Sequence, residues 1–176
     1  MTYDPRAYIT WFQQRFQHDG RDPRGTIQML VEALLMVERE ERLASWMLPT
    51  VLSNKSLTPD QSTPGGYKLA PSDQTLYRLR SNPNIARSLV GGTPEANYLD
   101  FDHQNPRVEL DTTYSSNRQG IDYPKPGQAK FFLRCGGADT PRPVTLARNN
   151  AGLWKVIEFS SLTLGVRPSA AVAGDF

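Results

Sequence analysis

Cysteine is nearly absent. Cys135 is the one thiol in 176 residues, so no disulfide can close within the chain. Histidine is almost as scarce. His18 and His103 lie far apart in sequence, and that spacing excludes a His/Cys zinc cage. Long apolar runs are missing too. The longest sits near Leu34-Leu35-Met36-Val37, far short of the ~20 residues a membrane span needs. Met1-Thr2-Tyr3-Asp4-Pro5-Arg6 has no apolar stretch behind a basic start, so no secretory leader is expected. A cytoplasmic location follows as the expectation, and a single free thiol suits a reducing compartment.

An excess of one charge is also lacking. Twenty Lys and Arg stand against eighteen Asp and Glu, a formal net charge of +2. Fifteen of the cations are arginine, but they are scattered (Arg6, Arg15, Arg39, Arg78, Arg107, Arg148) and form no run that would track a phosphate backbone. No nucleic-acid partner is expected. There is no Gly-x-Ser-x-Gly and no His-Glu-x-x-His, and Gly91-Gly92-Thr93-Pro94 lacks the Lys-Ser/Thr ending of a phosphate loop. No cofactor, no metal and no catalytic residue are therefore expected.

What is present is an architecture. The length suits one domain over residues 1–176 with an ordinary core. Asp4-Pro5 and Asp22-Pro23 are two helix starts, because Asp accepts from a free first-turn N–H and Pro is pre-organised at the next position. Tyr8, Trp11, Phe12 and Phe16 then form one aromatic face, on a helix ending near Gln17. Ile27, Leu30, Val31, Leu34 and Leu35 repeat at helical spacing. Leu43, Trp46 and Met47 continue that side, in the same helix or a second one, up to a stop at Pro49. Glu38 to Arg42 reads as a solvated face with a Glu38–Arg42 pair.

Residues 53–71 are rich in Ser, Thr, Pro and Gly and read as a long surface loop, with one helical turn near Thr58-Pro59-Asp60. Short helices bearing Leu76 and Leu79, then Ile85 and Leu89, complete a helical part over 3–90. From about 106 the period becomes two. Strands are expected at Val108–Thr112, Ala129–Cys135, around Val144 and Leu146, and at Leu153–Phe159, with an edge piece at Leu162–Val166. The tail over 169–176 reads as frayed. Helices first and strands afterwards argue for an α+β fold: an N-terminal helical layer on a four- to five-stranded antiparallel meander over 106–166.

Several segments resemble one family. They are Gly91-Gly92-Thr93-Pro94-Glu95-Ala96-Asn97-Tyr98, Gly136-Gly137-Ala138-Asp139-Thr140-Pro141-Arg142-Pro143, Gly152-Leu153-Trp154-Lys155-Val156 and Gly165-Val166-Arg167-Pro168. Together they are similar to an uncharacterised, mainly bacterial family of small domains. Its pattern is a Thr-Pro-Glu-Asn-Gly-Tyr-like turn, a Gly-Ala-Asp-Ser-Pro-Arg-Pro strand-turn-strand and a Trp-containing strand. Ala96-Asn97 stands where that pattern has Asn-Gly, so the turn is expected to differ. The resemblance covers about residues 22–168 and implies a fold boundary, with no activity and no catalytic residue. The Trp-Lys-Val strand also resembles the closing strands of nuclear-transport-factor-like folds.

Two functional expectations follow. The first is a non-enzymatic binding or adaptor domain of a bacterial cytosol, such as a chaperone, adaptor or immunity partner of a secreted effector. Trp11, Phe12, Phe16 and Trp46 would meet a protein partner, since large aromatics anchor interfaces. The helix over 3–17 lies ahead of the resemblance, which marks it as an addition to the common domain. The second is a small-molecule or hydrolytic site between helices and sheet. There Tyr98, Asp102, His103 and Arg142 would converge, with His103 as a base oriented by Asp100 or Asp102. Cys135 reads as a buried residue, and an Asp139–Arg142 pair as a hairpin brace.

Overall fold

Both Asp-Pro signals start helices. In the computed structural model, which describes residues 4–114 and 120–170, Asp4 accepts the Arg6 amide at 3.0 Å and opens α1 (Pro5–Asp19). Asp22 accepts the Arg24 amide at 2.9 Å and opens α2 (Pro23–Met36). A break at 37–40 separates α2 from α3 (Glu41–Val51), so the long apolar pattern is two helices. Pro49 lies inside α3 and does not end it. The helix stops where Leu52 turns extended and bridges Val156.

The most apolar helix is the central one. In α2, Ile27, Met29, Leu30, Val31, Ala33 and Leu34 are all buried. It packs against α1, α3, the short helix α5 (Asn84–Arg87) and the sheet. Each of these side chains larger than Ala33 contributes roughly 1.5–3 kcal/mol on burial. Arg15 of α1 clamps α2 by a two-pronged bond to Glu32, 2.8 Å on each arm, while its Nε donates to Asp19. Those carboxylates hold the Arg15 guanidinium more firmly protonated than usual, the Glu32 bond being the largest cause.

The sheet is an antiparallel meander in the order β3-β4-β5-β6. Its strands are β3 (Ile121–Asp122), β4 (Gln128–Leu133), β5 (Arg142–Arg148) and β6 (Trp154–Glu158). The α+β architecture is therefore as expected. Side chains alternate across the sheet with period two. Ala129, Leu146 and Val156 are cross-strand partners and point into the helical core. The next row, Gln128, Ala147 and Lys155, faces the opposite way. Two main-chain ties lock β6 to the helices: Thr26 Oγ1 donates to the Trp154 carbonyl at 2.8 Å, and the Trp154 amide donates to the Gly20 carbonyl at 2.7 Å.

Four local expectations are corrected. Residues 53–71 are not a plain loop, and the Thr58-Pro59-Asp60 turn is a strand end. A 3-10 turn at Asn54–Ser56 leads into a hairpin of β1 (Leu57–Pro59) and β2 (Tyr67–Leu69), packed on α3. Asp60 builds its tip by accepting the Ser62 amide and hydroxyl, and these bonds hold its carboxyl below the usual range. The segment around Val108–Thr112 forms a single bridge, Leu110 to Leu133, in place of a strand. Leu162–Val166 adds no edge strand: Ser160–Thr163 is a 3-10 turn, followed by an extended strap. Glu38 pairs with Arg87 of α5 and not with Arg42, and Glu41 pairs with Arg80 of α4 (Thr75–Ser81). Most of the tail expected to fray, 171–176, lies outside the described residues.

Candidate functional site

The residues singled out for a partner surface are mostly core. Phe12 and Phe16 are fully buried and Trp46 nearly so, because the aromatic face of α1 is the one that meets α3. Trp11 alone stays half exposed at 48%, edge-on to Tyr8 at 5.2 Å between ring centres.

The residues singled out for a pocket do not converge. His103 is exposed, stacks on Phe101 at 3.9 Å and sits 2.9 Å from the Leu99 carbonyl through Nε2. Asp102 accepts the amides of Gln104 and Asn105, a local turn bond. Asp100 accepts the Thr93 hydroxyl at 2.6 Å and amide at 2.8 Å, which hold its carboxyl below the usual range. Neither carboxylate orients the imidazole. Tyr98 and Arg142 are buried, but both serve the C-terminal strap. The Tyr98 hydroxyl donates to the Arg167 carbonyl, and Arg142 donates through both arms to the carbonyls of Leu164 and Gly165 at 2.7 and 2.6 Å.

The glycine-rich segments meet at this same place. The Gly136 amide donates to the Ser88 carbonyl at 2.9 Å. A Cβ on Gly136 would lie 2.0 Å from the Gly92 carbonyl oxygen, and one on Gly137 would lie 2.4 Å from the Tyr98 hydroxyl. Arg167 closes the knot: its amide donates to the Gly137 carbonyl and its guanidinium pairs with Asp139, which is therefore not the partner of Arg142. Asn97 takes the left-handed φ of +54° that a glycine would hold most easily, so the Thr93–Tyr98 turn forms with Ala96-Asn97 in place. Cys135 is buried beside this knot, its Sγ 3.2 Å from Ser88 Oγ.

A different set of residues forms a cleft with free chemistry. It has a volume of about 690 Å³, more than twice that of the cleft beside Cys135 at about 300 Å³. Its floor is the outward row Gln128, Ala147 and Lys155. The 3-10 turn at 54–56 forms one wall and Arg148 to Asn150 at the β5–β6 turn the other. Three cations line it, Lys55, Arg148 and Lys155, and no carboxylate does among the described residues. None of the three makes an ion pair within those residues. Lys155 is partly buried at the sheet edge, where its amine donates to the Thr50 carbonyl at 2.7 Å and lies 4.8 Å from the Phe16 ring centre. Burial pushes its pKa down. A cation at the last turn of α3 also suits the helix dipole.

Period-two reading of Leu153-Trp154-Lys155-Val156 places Lys155 opposite Val156, and that was the available signal. Lys55 and Arg148 are ninety-three positions apart (148 − 55), and no local pattern links them.

A family model described as "Domain of unknown function (DUF6935)" matches residues 7–170, and the chain belongs to that family. The match takes in nearly all of α1, so the aromatic helix is part of the shared domain and not an addition to it. No curated protein and no solved structure matches the chain, and the likeness to nuclear-transport-factor-like folds carries no argument.

Proposed function

We propose that this domain is a binding protein for an anionic ligand, held in the cleft over Gln128, Ala147 and Lys155. The observation that carries this reading is the charge of the lining: Lys55, Arg148 and Lys155, with no carboxylate to neutralise them among the described residues. Uncompensated cations around a concave surface attract anions and gain from binding them. The other polar groups of the chain discussed above are engaged by neighbours, so they offer a ligand little. The setting we favour is a bacterial cytoplasm, where small anionic metabolites are abundant and a lone thiol stays reduced.

The test is thermal unfolding against rising inorganic phosphate at constant ionic strength. A ligand at 100 times its Kd should stabilise the fold by about 2.7 kcal/mol. The doubly substituted Lys55→Ala, Arg148→Ala chain should lose that shift. Equal shifts in both proteins would overturn the reading.

A second reading keeps a protein partner, with the domain as an adaptor or chaperone. The half-exposed Trp11 favours it, since an exposed Trp beside Tyr8 is a typical interface anchor. A partner retained by the native chain and released by Trp11→Ala would support it. An unchanged set of retained proteins would exclude that face.

A further inference from the structure

The lining of the basic cleft narrows the ligand beyond its charge. We propose that the anion is the phosphoryl group of a small phosphorylated polyol, a sugar phosphate in chemical class; this rests on the anion-binding reading above.

Three classes of anion fit the lining poorly. A nucleotide needs a flat ring to stack its base, and no aromatic side chain among the described residues lines the cleft. A nucleoside triphosphate arrives with Mg²⁺, which carboxylates hold, and the lining has none among the described residues. A fatty acid needs an apolar wall, and among the described residues the only apolar side chains lining the cleft are Ala147 and Ile157.

What remains in the lining is amide and hydroxyl. Asn54, Gln128 and Asn150 all line the cleft, and their side chains make no hydrogen bond to the described residues. Each carries an acceptor oxygen and two N–H donors, the double complement a sugar hydroxyl requires. Asn149 is different. Its Oδ1 accepts the amides of Ala151 and Leu153 and builds the β5–β6 turn. The cleft thus pairs a cationic group with free amides that can meet hydroxyls in both senses. A phosphate joined to several hydroxyls matches that pairing better than phosphate alone.

Calorimetric titration separates the two levels of the argument. The probes are glucose 6-phosphate, glucose, inorganic phosphate and adenosine 5′-monophosphate, each added to the full chain. Glucose 6-phosphate should bind at least about tenfold more tightly than inorganic phosphate, as two or three added hydrogen bonds allow. Asn150→Ala should weaken glucose 6-phosphate about three- to tenfold and leave inorganic phosphate unchanged. Lys55→Ala with Arg148→Ala should abolish both. Equal affinity for glucose 6-phosphate and inorganic phosphate, or tighter binding of the nucleotide, would overturn the polyol assignment and leave the anion site standing. No binding of either phosphate would remove the anion site and this inference together.

Discussion

The glycine knot and the basic cleft both present arginine beside polar side chains and differ in what those polar groups touch. In the knot, the two arms of Arg142, the Tyr98 hydroxyl and the Arg167 amide each meet a main-chain carbonyl, and the Arg167 guanidinium meets Asp139. In the cleft, Lys55, Arg148, Asn54 and Asn150 have no such partner among the described residues. A buried polar group left unbonded costs about 1–3 kcal/mol, so the bonds of the buried Arg142 and Tyr98 are conditions of folding, while the Arg167–Asp139 pair is exposed. Groups at the cleft rim are hydrated and can exchange water for a ligand. The sequence segments that most resemble the family pattern therefore describe how the fold closes. One of them, Gly152-Leu153-Trp154-Lys155-Val156, also carries a cation of the cleft, Lys155.

The comparison breaks most visibly at the knot. Gly136→Ala forces a methyl group to 2.0 Å from a backbone oxygen, with no flexible side chain to move aside. We expect a loss of about 3 kcal/mol or more, at the upper end for overpacking. Urea unfolding of this variant beside Gly65→Ala, where the nearest outside atom is 3.4 Å away at the end of the Gln13 side chain, measures it. Equal midpoints would show that the backbone approach is not tight. Arg142→Met comes next. It leaves two carbonyls of the strap without their charged donor and should cost about 2–3 kcal/mol. Amide hydrogen exchange at Arg167, whose N–H donates to Gly137, should quicken with it. Tyr98→Phe removes a single donor and should cost about 1 kcal/mol.

The same contrast explains what could be read from the sequence. Helix starts at Asp4 and Asp22, the buried stripe of α2 and the strands β4 to β6 were legible, since each rests on capping or periodicity within a few residues. The hairpin at 57–69 was not, because its strands are three residues long and composition alone says turn. Phe12 and Phe16 were ambiguous for another reason. An aromatic helical face looks the same whether it meets α3 or a second protein. Arg142 and Tyr98 were misread because their partners, the carbonyls of 164–167, are backbone groups that no side-chain motif announces. The cleft needed three distant segments to come together before its charge was visible.

At the cleft the expectation is the reverse of that at the knot. Lys55→Ala with Arg148→Ala should change stability by less than about 0.5 kcal/mol, since both side chains are exposed and neither has an ion pair among the described residues. A loss as large as that of Arg142→Met would mean that these cations support the fold, and the distinction between the two regions would fail.

Lys155 lies on the boundary, and its titration says which side it belongs to. Burial lowers its pKa below the ordinary 10.5, so the folded chain releases this proton at a lower pH than the unfolded chain. Between the two values the unfolded state holds more protons, and stability gained from this group rises with pH. Below the folded value both states are protonated, and the cost of burying the charge stands in full. Tyr8 and Tyr98, whose pKa values burial raises, act in the opposite sense above pH 10, but they are common to both proteins in a Lys155→Met comparison. The stability of the native chain relative to Lys155→Met should therefore rise as the pH climbs toward 10.5, by less than any effect above, as read from urea midpoints. A flat difference would mean that the amine is fully hydrated, with its bond to Thr50 no more than a surface contact. Lys155 would then rank with Lys55 and Arg148 as a free cation of the cleft. A rising difference makes it an amine that the fold itself buries at the cleft floor.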